Sequence, residues 1–359
     1  MSDRRKEAEE KMAKAIFISA DCWLCVFDLL PAYQLGLGIS MISHRFDFYV
    51  DEHFKTRKWT LAFIEIRRKI GENGTKEMEI VNIHRNPLPI PQIQLPRKVI
   101  GFRSFVISYI DQNAITFLRR FRPIFASNPI HLSINMWSDR ILELILRNIW
   151  PMFAKNICWI FLHSEGSFTL LRKLVPSILN NCPSLRVVSF NFVNLFIAFP
   201  AEDSAVASDG QALAKWLFTP LQSNVPKVLR CSLVTDDGTF ESTIEAFKAA
   251  FSNASSPVNF IVVLYFPFPF ADSVVPFVLI NEFTREQLTL EKTGNNYRFL
   301  FVRCPIARDA SKWTKWEEEA IGWKSIDNHW NNILIQIINE DQIGDGLLDA
   351  IPGPSDQKK

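Results

Sequence analysis

The chain has 359 residues, 48% hydrophobic and 22% charged, a normal globular balance with length enough for a large core or for two domains. A formal charge of +2 gives no whole-molecule field of the kind that draws nucleic acid or an anionic membrane. Phe, at 30 residues, far outnumbers Tyr, at 5; rings without a polar handle point to a wide apolar interior rather than a base-stacking or carbohydrate surface.

Residues 1–15 alternate basic and acidic side chains and read as a charged, solvated lead-in. They hold no apolar run, and Asp21 and Asp28 break the stretch that a secretory signal would need, so the expected compartment is the cytosol or nucleus. Residues 16–60 carry three helical patterns. The first runs through Trp23, Leu24, Phe27 and Leu30 and stops at Pro31. The second runs through Leu35, Leu37, Ile39 and Ile42, with Gly36 and Gly38 each weakening it by about 1 kcal/mol against Ala. The third begins at Phe46 and carries Tyr49, Val50 and Phe54.

Residues 61–97 read as a hairpin followed by a proline-spaced linker. Trp59–Arg68 and Lys76–Ile83 alternate apolar and polar residues around a Gly71–Gly74 turn, and Pro87, Pro89, Pro91 and Pro96 follow. Residues 98–340 form the body. Strand patterns at Val99–Ser108, His131–Asn135, Ile157–His163 and Leu185–Phe190 alternate with helical patterns at Asn113–Phe125, Asp139–Phe153 and Ser167–Asn180. The strand centres recur at roughly 27–28 residues, within the leucine-rich-repeat range. The rhythm then loosens: helices at Gly210–Leu217, Phe240–Phe251 and Ser311–Trp323, strands at Val228–Val234, Val258–Tyr265, Arg285–Lys292, Tyr297–Arg303 and Ile333–Ile338. Phe260–Ile280 imitates a membrane span, but Asp272 and three prolines argue for a buried strand and a loop. Residues 341–359 are expected to form a disordered tail. The fold class expected is α/β with a mostly parallel sheet.

The stretch Phe17–Trp59 resembles the F-box, the adaptor-binding module of modular ubiquitin ligases. Leu24, Phe27 and Leu30-Pro31 match its first-helix pattern, Leu35 matches the Leu that opens its second helix, and Ile42-Ser43-His44-Arg45-Phe46 matches its closing pattern. Ile18-Ser19 stands where the family usually has Leu-Pro. The stretch Leu179–Arg186 is similar to the helix-to-strand joint of F-box-associated leucine-rich repeats, which implies a degenerate repeat-like α/β arc after the module. The resemblance implies docking on a Skp-type adaptor, and through it on a cullin scaffold, by Leu24, Phe27, Leu30, Pro31, Leu35 and Ile42. The body would then bind an unknown protein target, and the chain itself would supply no chemistry and hold no cofactor. Readings that remain beside it are an interaction scaffold without ligase docking and an α/β enzyme with an unrecognised site.

No motif argues for catalysis. Cys22-Trp23-Leu24-Cys25 lacks two further ligands at zinc-finger spacing and sits in a helical pattern, so these thiols, like the other four Cys, are expected in the core. No Gly-rich phosphate loop and no Gly-x-Ser-x-Gly elbow is present, and no His has a helical i, i+4 partner, so no metal is expected. Arg119, Arg120 and Arg122, with Arg140 and Arg147 on the next helix, are candidates for gripping a phosphate or an acidic partner segment, set against an ordinary solvated face. Trp313, Trp316 and Trp323 are expected to seal the end of the repeat stack.

Overall fold

The computed structural model describes residues 18–30, 32–55, 59–71, 76–88, 99–163, 165–174, 179, 181–190, 197–232, 239–265, 274–294, 298–322, 331–344 and 346–348. Three short helices open it: α1 (Ala20–Asp28), α2 (Ala32–Leu37) and α3 (His44–His53). Ser19 and Ser43 cap α1 and α3 by accepting the backbone N–H of Cys22 and Phe46. The second helical pattern is split, as its glycines dictate: α2 ends before Gly38, and a 3₁₀ turn (Ile39–Met41) follows. Trp23 meets Phe46 edge-on at 4.9 Å and Phe27 meets His53 at 5.8 Å, so α1 and α3 close on each other, while α2 lies against the first strand.

Twelve strands form one sheet. They are β1 (Trp59–Ile70), β2 (Lys76–Val81), β3 (Val99–Ile107), β4 (Ile130–Met136), β5 (Ile157–Leu162), β6 (Val187–Phe190), β7 (Lys227–Ser232), β8 (Phe260–Tyr265), β9 (Phe277–Asn281), β10 (Glu286–Lys292), β11 (Arg298–Pro305) and β12 (Asn332–Ile337). Their order is β2-β1-β3-β12-β4-β5-β6-β7-β8-β11-β10-β9. All pairings from β1 across to β8 are parallel, and antiparallel strands close both ends. The fold is therefore α/β with a mostly parallel sheet. Strands β4 to β8 follow chain order, as a repeat stack would. The last strand does not: β12 returns to the middle and pairs in parallel with both β3 and β4.

The return is fixed by Asn331. Its backbone N–H donates to the Phe102 carbonyl at 2.6 Å, its side-chain oxygen accepts the Phe102 N–H at 3.0 Å, and its carbonyl accepts the His131 N–H at 3.2 Å. It does this at φ +59°, a conformation that Asn tolerates better than most residues. A Cβ at Gly101 would stand 2.5 Å from the Asn331 side-chain oxygen, so glycine is required there by close approach. The hairpin β1–β2 joins the same sheet, because β1 pairs in parallel with β3 from Trp59 to Ile66.

Helices α4 (Gln112–Arg120), α5 (Arg122–Ser127), α6 (Asp139–Asn148), α7 (Glu165–Leu174), α8 (Asp209–Leu217) and α9 (Thr239–Ser252) cover one face of the sheet. Beneath them lie Phe102, Phe105, Leu132, Ile160, Val188, Leu229, Val262 and Phe301, together with Phe117, Phe121, Phe125, Phe168, Phe247 and Phe251 from the helix layer. The Phe excess is thus consumed in one continuous apolar layer. Helix α10 (Ala310–Gly322) packs on the opposite face, where Trp313 joins Trp159, Val187, Val228, Ile261 and Val302. Trp313 and Trp316 therefore form a second core layer over the sheet instead of sealing the end of a stack, and Trp323 lies outside the described residues.

Other expectations need correction. The pattern Asn113–Phe125 is two helices, α4 and α5, broken at Phe121 with Pro123 in the first turn of the second. Strand β9 falls where only a proline-rich loop was expected. Part of the expected tail is packed: Ile343 is buried and bridges Ile110, and the Leu348 carbonyl accepts from Arg140. At the antiparallel end, Arg303 and Glu286 form a fully buried ion pair (2.6 Å), with Glu286 also accepting the Val258 N–H.

Replacing Gly101 by Ala should cost about 1–3 kcal/mol in urea unfolding, because the methyl displaces the Asn331 side chain. The double variant with Asn331→Gly, which keeps the positive φ and removes the clashing oxygen, should be less destabilised than the sum of the two single changes. Simple additivity would separate the glycine from the Asn331 contact.

Candidate functional site

Two surfaces carry more than their own fold requires. The first is α1. Trp23 and Phe27 turn inward. The opposite side of the helix carries Cys22, Cys25, Val26 and Leu29 at i, i+3, i+4 and i+7, and all four are exposed, Leu29 at 84%. A short helix apolar on both sides is satisfied by its own fold on one side only. Cys22 and Cys25 are therefore not core thiols, contrary to expectation: the helical period places them on the outer stripe. The other cysteines do sit inward, Cys158 half-buried and Cys182, Cys231 and Cys304 buried. Burial pushes the thiols of Cys158, Cys182 and Cys231 up to about 12, which leaves them protonated and poor nucleophiles.

The residues aligned with adaptor docking distribute unevenly. Phe27 and Leu35 are only 1% exposed and belong to the shared core. Leu24 and Leu30 are half-buried against it, Ile42 is 63% exposed, and Pro31 lies outside the described residues. A polar residue at Leu35 therefore tests packing, not docking. Among the described residues of the module, the exposed large apolar side chains are Ile18, Val26, Leu29, Ile42 and Phe48.

The second surface is the face of the sheet turned away from α4–α9. Parallel pairing aligns side chains into rows across it. One row runs Leu334, Ser133, Phe161, Ser189, Arg230 and Val263. The row before it includes Asn332, His131 and Trp159, and the row after it Gln336 and Asn135. Ser133 Oγ lies 2.7 Å from His163 Nε2, Trp159 Nε1 donates to Ser189 Oγ at 2.9 Å, and Arg230 donates to the Tyr265 hydroxyl at 2.8 Å. The Phe161 ring stands edge-on to His163 at 4.8 Å. Of these residues Phe161, His131, His163, Asn135, Gln336 and Arg230 are half-buried, and Ser133, Ser189, Trp159 and Asn332 are buried. The Ser133–His163 pair is not an accessible nucleophile: Ser133 is fully buried, and among the described residues no carboxylate orients the imidazole.

Sequence reasoning missed this face, although its signal was present. Ile130–Met136 reads Ile-His-Leu-Ser-Ile-Asn-Met, a strict alternation, and a central parallel strand covered by helices on both sides would be apolar throughout. The arginine candidates lie elsewhere. Arg119 and Arg122 are exposed and Arg120 half-buried in the helix layer, on the opposite side of the sheet. Arg140 is held by Glu340 and the Leu348 carbonyl, and Arg147 by Glu143. Among the described residues no group of three His, Cys, Asp or Glu side chains is gathered as for a metal ion, and no helix is long and apolar enough to cross a membrane.

No family model, no curated protein and no solved structure matches this chain.

Burial lowers the pKa of His163 below its ordinary 6.5. Below that value the unfolded chain takes up a proton that the folded chain still refuses, so stability falls as the pH drops. Chemical unfolding of the wild type should show this loss as the pH falls through 6.5, and His163→Gln should show a smaller loss. Equal slopes for the two proteins would remove His163 from the acid response.

Proposed function

We propose that the protein is a substrate-receptor subunit of an SCF-type ubiquitin ligase. Its N-terminal helices dock on a Skp-type adaptor, which connects to a cullin scaffold, and the α/β body binds a target protein. The F-box-like residue pattern is one support, and the degenerate leucine-rich-repeat-like reading of the body rests on the run of strands β4 to β8. The observation that carries the proposal is the outer stripe of α1. Cys22, Cys25, Val26 and Leu29 expose a row of apolar or weakly polar side chains outside the module's buried core. Burying two such side chains at an interface contributes about 1.5–3 kcal/mol each.

The docking set that follows is Val26 and Leu29, with Ile42, rather than Phe27 and Leu35. The target side is the polar sheet face. Its groups hydrogen-bond and stack, and such groups hold a protein segment without chemistry of their own. The mechanism is one of proximity: a bound target lysine is kept at high effective concentration near ubiquitin activated elsewhere in the assembly.

Val26→Lys with Leu29→Lys should weaken capture of a purified Skp-type adaptor by about tenfold or more, while circular dichroism and the unfolding midpoint stay at wild-type values, since both positions are solvent-facing. Adaptor capture that is absent in the wild type, or that survives both substitutions, contradicts the docking reading.

A further inference from the structure

Of the six cysteines, only Cys22 and Cys25 are exposed. They stand at i and i+3 on the outer side of α1, so their side chains are neighbours one turn apart. Cys22 is the third residue of the helix, within its first turn, where the peptide dipoles favour negative charge. The Ser19 hydroxyl, besides capping the helix, donates to Cys22 Sγ at 3.2 Å. Arg45 of α3 donates to the Ile18 carbonyl at 3.4 Å, which brings a guanidinium to the same end of α1. Asp21 is the acidic residue of that turn. Cys25 lies one turn further from the N-terminal end.

In an α-helix, Cα atoms three residues apart lie about 5 Å from each other, inside the span of roughly 4.4–6.8 Å that a disulfide bridges. The corresponding Cβ atoms, about 5–6 Å apart, must close to roughly 3.5–4.5 Å. The first turn of α1 therefore has to tighten for such a bond to form, and a constrained disulfide on the surface is readily reduced again. The remaining thiols offer no competing site, because burial keeps Cys158, Cys182 and Cys231 protonated and pushes the Cys304 thiol up as well. We propose that Cys22 and Cys25 form a reversible thiol–disulfide exchange site whose substrates are low-molecular-weight disulfides of the glutathione class. The Cys22 thiolate attacks one sulfur of the small disulfide, giving a mixed disulfide and releasing one thiolate. Cys25, deprotonated in turn, attacks Cys22 Sγ, forms the Cys22–Cys25 bond and releases the second thiolate. Two protein thiols lose two electrons and two protons, and one small disulfide is reduced to two thiols. This chemistry goes beyond docking and does not rest on it, since it needs only α1 and its cap in the free chain.

Oxidised glutathione added to the reduced full chain under native conditions tests this, with acid quenching, alkylation of the remaining thiols and peptide mass mapping. The wild type should accumulate the Cys22–Cys25 disulfide and release two molecules of reduced glutathione per chain. Dithiothreitol should return it to the reduced form. Cys25→Ser should stop at the mixed disulfide, carried on Cys22. Cys22→Ser should form its mixed disulfide about tenfold more slowly than Cys25→Ser does. Both positions are exposed, so the two serine variants should keep the wild-type unfolding midpoint. A wild type that stops at the mixed disulfide, a native chain in which the pair stays reduced, glutathione spread equally over all six cysteines, or equal rates for the two serine variants would each overturn the proposal.

Discussion

The end of the chain is held at the middle of the sheet by one residue. Asn331 spends its backbone N–H and its side-chain oxygen on Phe102, and its carbonyl on His131. It thereby pins the start of β12 between β3 and β4. Without β12 those two strands would each present a bare parallel edge in the centre of the molecule, with Phe105, Leu132 and Ile134 beneath it. Isolated backbone donors and acceptors at that depth are costly, so the first strands and the long run β4–β8 depend on a segment made more than two hundred residues after β3. Gly101 is the complement of that residue, since any larger side chain would occupy the space of the Asn331 amide.

From this closure follows the division of the molecule into two faces. Every crossover from α4 to α9 lies on one side, which consumes most of the Phe residues in a single layer. The other side receives α10 over its β5–β11 portion, and the Arg186–Glu319 pair fastens that helix to the sheet. Beside the α10 cluster lie the polar positions of β12, β4 and β5, of which His131, Asn135 and Gln336 are half-buried and Asn332 and Ser133 are buried. The surface read here as target-binding and the strand that closes the fold are thus the same region. Helices α1–α3 join the assembly through α2 and β1, so the N-terminal helices and the body share one hydrophobic interior.

Much of this was legible in the residues. Short apolar runs, alternating where one face is polar as in Ile130–Met136 and continuous where both faces are buried as in Phe260–Tyr265, placed the strands of the body to within a few residues. The N-terminal helices were legible from the apolar spacing and the break at Pro31. What was not legible is pairing between distant segments: Ile333–Ile338 reads as a strand, but nothing local in it says that its neighbours are β3 and β4 and not β11. Strand β9 was hidden by Pro276 and by the proline-rich run before it, which mark a loop correctly up to the residue where the strand begins. The outer stripe of α1 was visible as spacing but was assigned to the core, since composition alone cannot say which of two apolar sides of a helix is covered. The polar sheet face is written into the alternation of Ile130–Met136, but its members lie on separate strands and form no local cluster of the kind that Arg119, Arg120 and Arg122 make.

As an interior strand of the sheet, β12 should open only together with its neighbours β3 and β4. Amide hydrogen exchange on the full chain measures this directly. The amides of Asn332–Ile337 should exchange as slowly as those of β3 and β4, because all three ladders open only when the sheet does. If Asn332–Ile337 instead exchange as fast as the chain termini while β3 and β4 stay protected, the closing strand is not part of the sheet and the account fails.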